Sequence, residues 1–403
     1  MRAGPVQLNE RIEALDIIRG FALFGIFLVN MPAFQWPVLT AELHFYSYEY
    51  TGIDRWIRLF FDMFVEGKFF TIFSFLFGLG FYLFMQRAEQ KGLRPRRLFA
   101  RRLGALALFG AAHLILLWYG DILLTYALAG FALLLFYRCK PRTILIWIFI
   151  FFVLLTGILL LNALSISLME SYIVNLQADG EAKIQEAITV YREAGYAEWL
   201  AYRWTEEVVP MLLNLPFAAL AVMFMFLMGL YAGKKKLFEQ TSMNRRWIQR
   251  LWLICLLLSL PLLGMVAAIH FDLFFSGSAK EAAKQFFVTM SGPVLSLFYI
   301  SSIALLLERA RWRRLFKPFS YAGRMALTNY LIQSLIGVGL YAGLGWFGQM
   351  NLVLGTLICL VVFPLQTVFS HYWLKKFRQG PMEWLWRTIT YGKAVPFKTG
   401  STS

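Results

Sequence analysis

Apolar runs as long as a bilayer is thick recur along this chain, and they constrain it more than any short motif does. The first is Leu15–Asn30, LDIIRGFALFGIFLVN. A run of roughly 20 apolar residues suffices to cross the hydrocarbon core as a helix. With 59% hydrophobic and 15% charged residues among 403, the chain reads as an all-α, polytopic transmembrane bundle. Ten spans fit, at about 15–36, 69–86, 102–119, 121–137, 143–165, 207–232, 246–270, 285–307, 320–343 and 350–373. The first run is too long for a signal peptide and is followed by many like it, so it reads as the first span.

The charges between the runs orient them. Segments 87–102, 138–142, 233–250, 308–317 and 374–403 carry net charges of +6, +3, +5, +4 and +5. The alternate connections are neutral or acidic: 37–68 carries −2, 166–207 carries −5, and 271–284 is neutral. Every second connection is basic, which predicts both termini on the cytoplasmic side of the membrane. The overall charge of +16 therefore reads as a topology signal. No nucleic-acid-reading motif accompanies it, so the expected partner is the lipid bilayer and not nucleic acid. Cys139, Cys255 and Cys359 are isolated and form no CxxC, which suggests neither a disulfide framework nor a metal site.

The chain divides into an N-terminal bundle half (1–165), an extracytoplasmic amphipathic loop (166–206), a C-terminal half with a cytoplasmic tail (207–392) and a flexible end (393–403). Within the outer segment 37–68, Trp56, Leu59, Phe60 and Met63 share one helical face, predicting an interfacial helix before span two. In the second outer segment, Ile184, Ile188 and Tyr191 fall at helical spacing. This segment either caps the outer mouth or is a solvated acidic linker. Gly229/Gly233 and Gly339/Gly343 have the GxxxG spacing of closely packed helices. Ser320, after Pro318, is a candidate N-cap for span nine.

No HExxH, GxSxG, P-loop or dinucleotide fingerprint is present. The candidate chemistry rests instead on polar residues inside apolar helices, which are costly unless used. A tight turn at Tyr119–Gly120 makes spans three and four a hairpin. It places Asp121 at the turn, near the outer surface and close to His113, and sets Tyr126 at the depth of His113; the carboxylate can orient the imidazole as a general base. A polar clasp between the two helices fits the same residues. His44, in the aromatic outer loop, can meet an extracytoplasmic substrate or be an ordinary surface residue. Asp16 and Arg19 share a helix face, and Arg19 with Arg324 can hold an anionic group bidentately at the cytoplasmic end; both arginines can equally snorkel to headgroups. Asn30 at the outer end of span one, Tyr126 in span four, and Asn329 and Gln333 in span nine are further candidate substrate contacts. His270 and His371 lie at span ends and carry no assignment.

Three stretches together resemble the YeiB-like family of uncharacterised bacterial membrane proteins, whose C-terminal domain is of unknown function. They are LDIIRGFALFGIFLVN with KFFTIFSFLFGLGF (68–81), FGAAHLILLWYGDILLTYALAG (109–130), and GRMALTNYLIQS (323–334) with FRQGPMEWLWRTITY (377–391). The opening LDIIRG…N is distantly similar to the first helix of transmembrane acyltransferases. That likeness implies a bundle that takes an acyl group from a cytoplasmic acyl-CoA and passes it to an extracytoplasmic acceptor. It implies Arg19 near the donor and the far end of the helix near the acceptor. The O-acyltransferase branch ends this helix on histidine, where this chain has Asn30. The lysosomal branch has asparagine there and takes its histidine from the next outer loop, where this chain has His44.

The expectation is thus an acyltransferase-like protein using acyl-CoA as co-substrate, with no tightly bound cofactor or metal. Arg19 and Arg324 bind the donor, His113 or His44 acts as base, and Asp121 orients His113. A transporter of a small solute or lipid would use the same charged and amide groups, and a non-catalytic scaffold is the third class. An inverted repeat would favour the transporter; none is evident.

Overall fold

The computed structural model describes residues 13–238, 244–275, 277–392 and 394–398. The helices in the N-terminal half are α1 (Glu13–Gln35), α2 (Val38–Leu43), α3 (Gly52–Phe64), α4 (Phe69–Gln90), α5 (Pro95–Leu116), α6 (Leu123–Phe136) and α7 (Pro141–Leu168). Then follow α8 (Glu170–Glu193), α9 (Tyr196–Arg203), α10 (Val209–Lys234), α11 (Arg245–His270) and α12 (Gly277–Leu306). The chain closes with α13 (Ala310–Arg324), α14 (Ala326–Val338), α15 (Leu352–Lys376) and α16 (Pro381–Tyr391). Among the described residues eight helical segments are long and apolar enough to cross a membrane; α13 with α14 passes as a ninth, bent by 78°. The apolar helix α6 has 14 residues, about 21 Å of rise, and is short for a span. The protein is an all-α polytopic bundle in which eight of the ten expected spans have spanning length, the ninth is a bent pair and the fourth, α6, is short.

Close helix packing rests on small residues, because lipid offers no hydrophobic drive between helices. A Cβ at Gly229 on α10 would lie 2.0 Å from the Phe75 carbonyl oxygen, and one at Gly78 on α4 would lie 1.9 Å from that of Phe226. The two helices therefore touch backbone to backbone. Helices α1 and α13 do the same through Gly20 and Gly323, whose added Cβ atoms would lie 1.9 and 2.0 Å from Phe319 and Asp16 carbonyls. Gly339 has open space beside it, so the second GxxxG pair is not a packing surface.

Span nine differs from expectation. It is not one helix beginning at Ser320: that residue lies inside α13, its hydroxyl donating to the Lys317 carbonyl at 2.7 Å. The basic, amphipathic α13 is pinned to α1 at Gly323, and the chain turns at Met325 (φ −115°, ψ 33°) before α14 enters the bundle. The turn leaves the first N–H groups of α14 without helical partners. Glu383 of α16 supplies them. Its Oε1 accepts from the N–H groups of Leu327 (2.7 Å) and Thr328 (3.2 Å), and its Oε2 accepts from the Thr328 hydroxyl (2.6 Å). Burial holds the Glu383 carboxyl above the usual carboxylate range, against the pull of those hydrogen bonds.

On the outer side, α3 is amphipathic as expected, but its apolar residues Ile53, Trp56 and Phe60 face outward, towards lipid. Its polar side points inward: Arg58 pairs with Asp62, and Asp54 accepts from the N–H groups of Leu352 and Val353 at the start of α15. The second outer segment is packed rather than solvated. Ile184, Tyr191 and Trp199 are buried, and Tyr191 stacks on Phe347 with centroids 4.1 Å apart. Beyond α16, residues 394–398 fold back onto the bundle: Trp384 donates to the Val395 carbonyl at 2.8 Å and Phe397 packs on Phe377. The remainder of the expected flexible end lies outside the described residues.

Three outcomes are expected. In a background lacking the three native cysteines, a cysteine at Glu186 on α8 reacts with a membrane-impermeant maleimide added to intact cells, and one at Arg314 on α13 does not. The reverse labelling would refute the orientation. Glu383→Ala lowers thermal stability by about 1–2 kcal/mol, the usual cost of a lost helix cap. Because the folded-state value of Glu383 is raised, its linkage favours the fold below the ordinary carboxylate range. That contribution is lost as pH rises through the raised value. Melting profiles of Glu383→Gln across pH should be flatter than wild type.

Candidate functional site

A cavity of about 330 Å³ opens among α1, α4, α5, α6, α14 and α16, within the size range of small-molecule sites. Its wall changes character along its length. Arg19 in the first turns of α1, Arg87 in the last turn of α4, Arg102 early in α5, Arg324 at the end of α13 and Arg387 on α16 all line it. These positions lie at the helix ends that the charge alternation assigns to the cytoplasm. All five are half-buried, with only Asp16 and Glu383 as acidic wall residues. Deeper, the wall is Leu23, Ile26, Phe73, Phe77, Leu106, Tyr126 and Tyr330.

The local sequence explains how the mouth is held. Arg19 donates to Asp16 at 2.7 Å, one helical turn away, which turns its guanidinium towards the cavity side of α1. Arg102 lies 3.7 Å over the Trp386 ring and 5.4 Å over the Phe84 ring. The Trp386 indole in turn donates to the Arg102 carbonyl at 2.8 Å. The C-terminal helix is therefore part of the wall, pinned by Glu383 at one point and by Trp386 at another.

Beyond the deep end lies His113. Its Nδ1 is 3.1 Å from Asp121 Oδ1, and its Nε2 is 2.9 Å from the Ser334 hydroxyl. Both His113 and Asp121 side chains are 1% exposed. Asp121 was expected near the outer surface. It is buried because α6 is short and the turn before it is roofed. Tyr196 donates to the Leu116 carbonyl, and the wholly buried Arg203 donates to the Leu114 and Ile115 carbonyls at 2.8 and 3.1 Å. Arg203 also pairs with Glu207 at 2.7 Å. Tyr330 connects cavity and histidine: it lines the cavity, its ring centroid is 5.1 Å from that of His113, and its hydroxyl donates to the Gly120 carbonyl at 2.9 Å.

The structure thus brings Arg19 and Arg324 to one cavity and His113 to Asp121. Tyr126 also reaches the cavity, but its hydroxyl bonds to the Ser74 hydroxyl and Phe70 carbonyl, both at 2.8 Å, on α4. Asn329 and Gln333 are buried against α15, where Asn329 Nδ2 donates to Ser370 at 3.0 Å and Gln333 Nε2 donates to Gln366 at 2.9 Å. They join helices and do not line the cavity. Asn30 is half-buried near the outer end of α1. His44 follows α2, its Nδ1 2.9 Å from the Thr40 carbonyl, and packs beside Gly180 on α8. Arg87, Arg102, Arg387, Glu383 and Ser334 were not singled out from sequence. The first three lie in basic tracts, where topology already accounted for them, and Ser334 carries no local signal.

Residues 232–393 match the family described as "Protein of unknown function (DUF418)". The chain is 36% identical over 406 residues to the uncharacterized protein YxaH of Bacillus subtilis (strain 168), covering 96% of each chain. It is 32% identical over 403 residues to an uncharacterized 39.9 kDa protein from the amylase 3′ region of Bacillus acidopullulyticus, covering 97% of each. Identity to the uncharacterized protein YeiB of Escherichia coli (strain K12) is 29%, over 96% of this chain and 98% of that one. No solved structure matches the chain.

Proposed function

The chain belongs to the YeiB-like family, and from that premise we propose that it is an acyltransferase of the bacterial plasma membrane. It takes an acyl group from a cytoplasmic acyl-CoA and delivers it to an acceptor on the outer side. The graded wall of the cavity carries this reading. A donor with phosphates at one end and an acyl chain at the other needs guanidinium groups at the mouth and apolar surface beyond. Arg19, Arg87, Arg102, Arg324 and Arg387 offer the first, and Leu23, Ile26, Phe73 and Phe77 the second. His113 lies one aromatic ring past the deep end, with Asp121 positioned to hold its imidazole, as a general base at the acyl carbon requires.

A solute transporter draws less support. Two amides that a polar pathway would use, Asn329 and Gln333, are spent on bonds to α15, and the cavity's depth is apolar.

Purified full-length protein is expected to bind acetyl-CoA or palmitoyl-CoA in equilibrium dialysis. Arg19→Ala and Arg324→Ala should each weaken that binding about tenfold, or about 1.4 kcal/mol, while Arg314→Ala, on the exposed side of α13, leaves it unchanged. No detectable binding of either donor, or binding indifferent to both cavity substitutions, would sink the proposal.

A further inference from the structure

Ser334 is 1% exposed and belongs to α14 one turn beyond Tyr330. Its hydroxyl completes a chain with His113 and Asp121, and the direction of that chain follows from what each group can donate. Asp121 is a carboxylate acceptor. Its Oδ2 already takes the Leu124 N–H at 2.7 Å, and its Oδ1 faces His113 Nδ1 at 3.1 Å. In the neutral imidazole Nδ1 is then the protonated nitrogen and Nε2 holds the lone pair; the Ser334 hydroxyl, 2.9 Å from Nε2 and 3.4 Å from the Tyr330 carbonyl, donates to the nearer acceptor. A serine hydroxyl donating to an imidazole whose far N–H is held by a buried carboxylate is the arrangement that activates serine as a nucleophile. A clasp between the α5–α6 hairpin and α14 would need no such polarity; a second amide would serve.

On the acyl-transfer reading above, on which this rests, we infer that Ser334 is the nucleophile that carries the acyl group across the protein as a serine ester. In the first half-reaction Ser334 Oγ forms a bond to the thioester carbon, the C–S bond breaks, and the serine proton passes through His113 Nε2 to the departing CoA thiolate. In the second, an acceptor hydroxyl attacks the serine ester, gives its proton to His113, and Ser334 leaves and recovers that proton. The route from the cavity is short. Tyr330 both lines the cavity and packs on the His113 ring, so its side chain must swing from the Gly120 carbonyl to admit the thioester. His113 stands three residues from the outer end of α5, so the ester forms on the side from which an outer acceptor would approach.

The test uses full-length protein in detergent with acetyl-CoA or palmitoyl-CoA labelled on the acyl carbonyl, and no acceptor. The expected result is stoichiometric release of CoA thiol and label on the protein, mapped by mass spectrometry to Ser334. Ser334→Ala removes the label while still binding the donor, and His113→Ala slows labelling at least a hundredfold. Ser334→Cys moves the label to a thioester that neutral hydroxylamine cleaves, a change that a purely structural serine would not produce. Donor turnover at the wild-type rate in Ser334→Ala, or wild-type protein that binds the donor and carries no label at Ser334, overturns the inference and leaves the acyltransferase reading standing. Failure of the wild type to bind either donor withdraws both. Should Ser334→Ala not fold, Ser334→Cys decides alone: a labelled thioester supports the inference, and a folded, unlabelled variant overturns it.

Discussion

The bond of Glu383 to the first turn of α14 is the contact on which the rest of the arrangement depends. A helix that starts inside a bundle exposes N–H groups with no helical partner, and an orphaned buried donor costs about 1–3 kcal/mol. One carboxylate satisfies two such donors and a threonine hydroxyl. Because it comes from α16, the cap also fixes the C-terminal helix against the bundle and brings Trp386 and Arg387 into the cavity wall. The bend that creates the need for the cap turns Arg324 to the cavity mouth and leaves the basic α13 bent away from the line of α14. The cap on α14 and the places of Arg324 and Arg387 in the cavity wall thus meet at one break, at Met325.

The same logic recurs at other helix ends. Asp54 takes the first N–H groups of α15, Asp121 takes that of Leu124 in α6, and Arg203 takes the last carbonyls of α5. Each places charge of the sign that complements the helix dipole. Buried charge in a membrane bundle therefore has a structural explanation available before a functional one is sought. The arginines of the cavity have contacts of their own, Arg19 with Asp16 and Arg102 with Trp386, but they also line open space, and that marks a candidate ligand site within the scaffold.

Much of the fold was legible in the sequence because the bilayer imposes a length on apolar runs and a bias on loop charge. The eight spans of full length and the His113–Asp121 pairing needed only those rules and one tight turn. The break at 325 was not legible. GRMALTNYL carries no proline at the bend, and the break is set by tertiary contact of Gly323 with α1. The amphipathic face of α3 was read correctly from its spacing, but which side met protein depends on Asp54 and Asp62 finding partners elsewhere. Arg102 and Arg387 share a cavity although 285 residues separate them in sequence, a convergence that no local pattern encodes. Asn329 and Gln333 show the opposite error, since intramembrane amides read equally well as ligand contacts and as helix glue.

Asp121 is where scaffold and candidate chemistry meet. One oxygen caps α6 and the other holds His113, so the geometry that starts the helix also fixes the imidazole tautomer. Burial under α9 and Arg203 keeps the pair dry, and hydrogen bonds in such surroundings are stronger and better aligned than in water. Catalytic orientation here would require no dedicated structure, because it is supplied by a cap that the fold needs in any case.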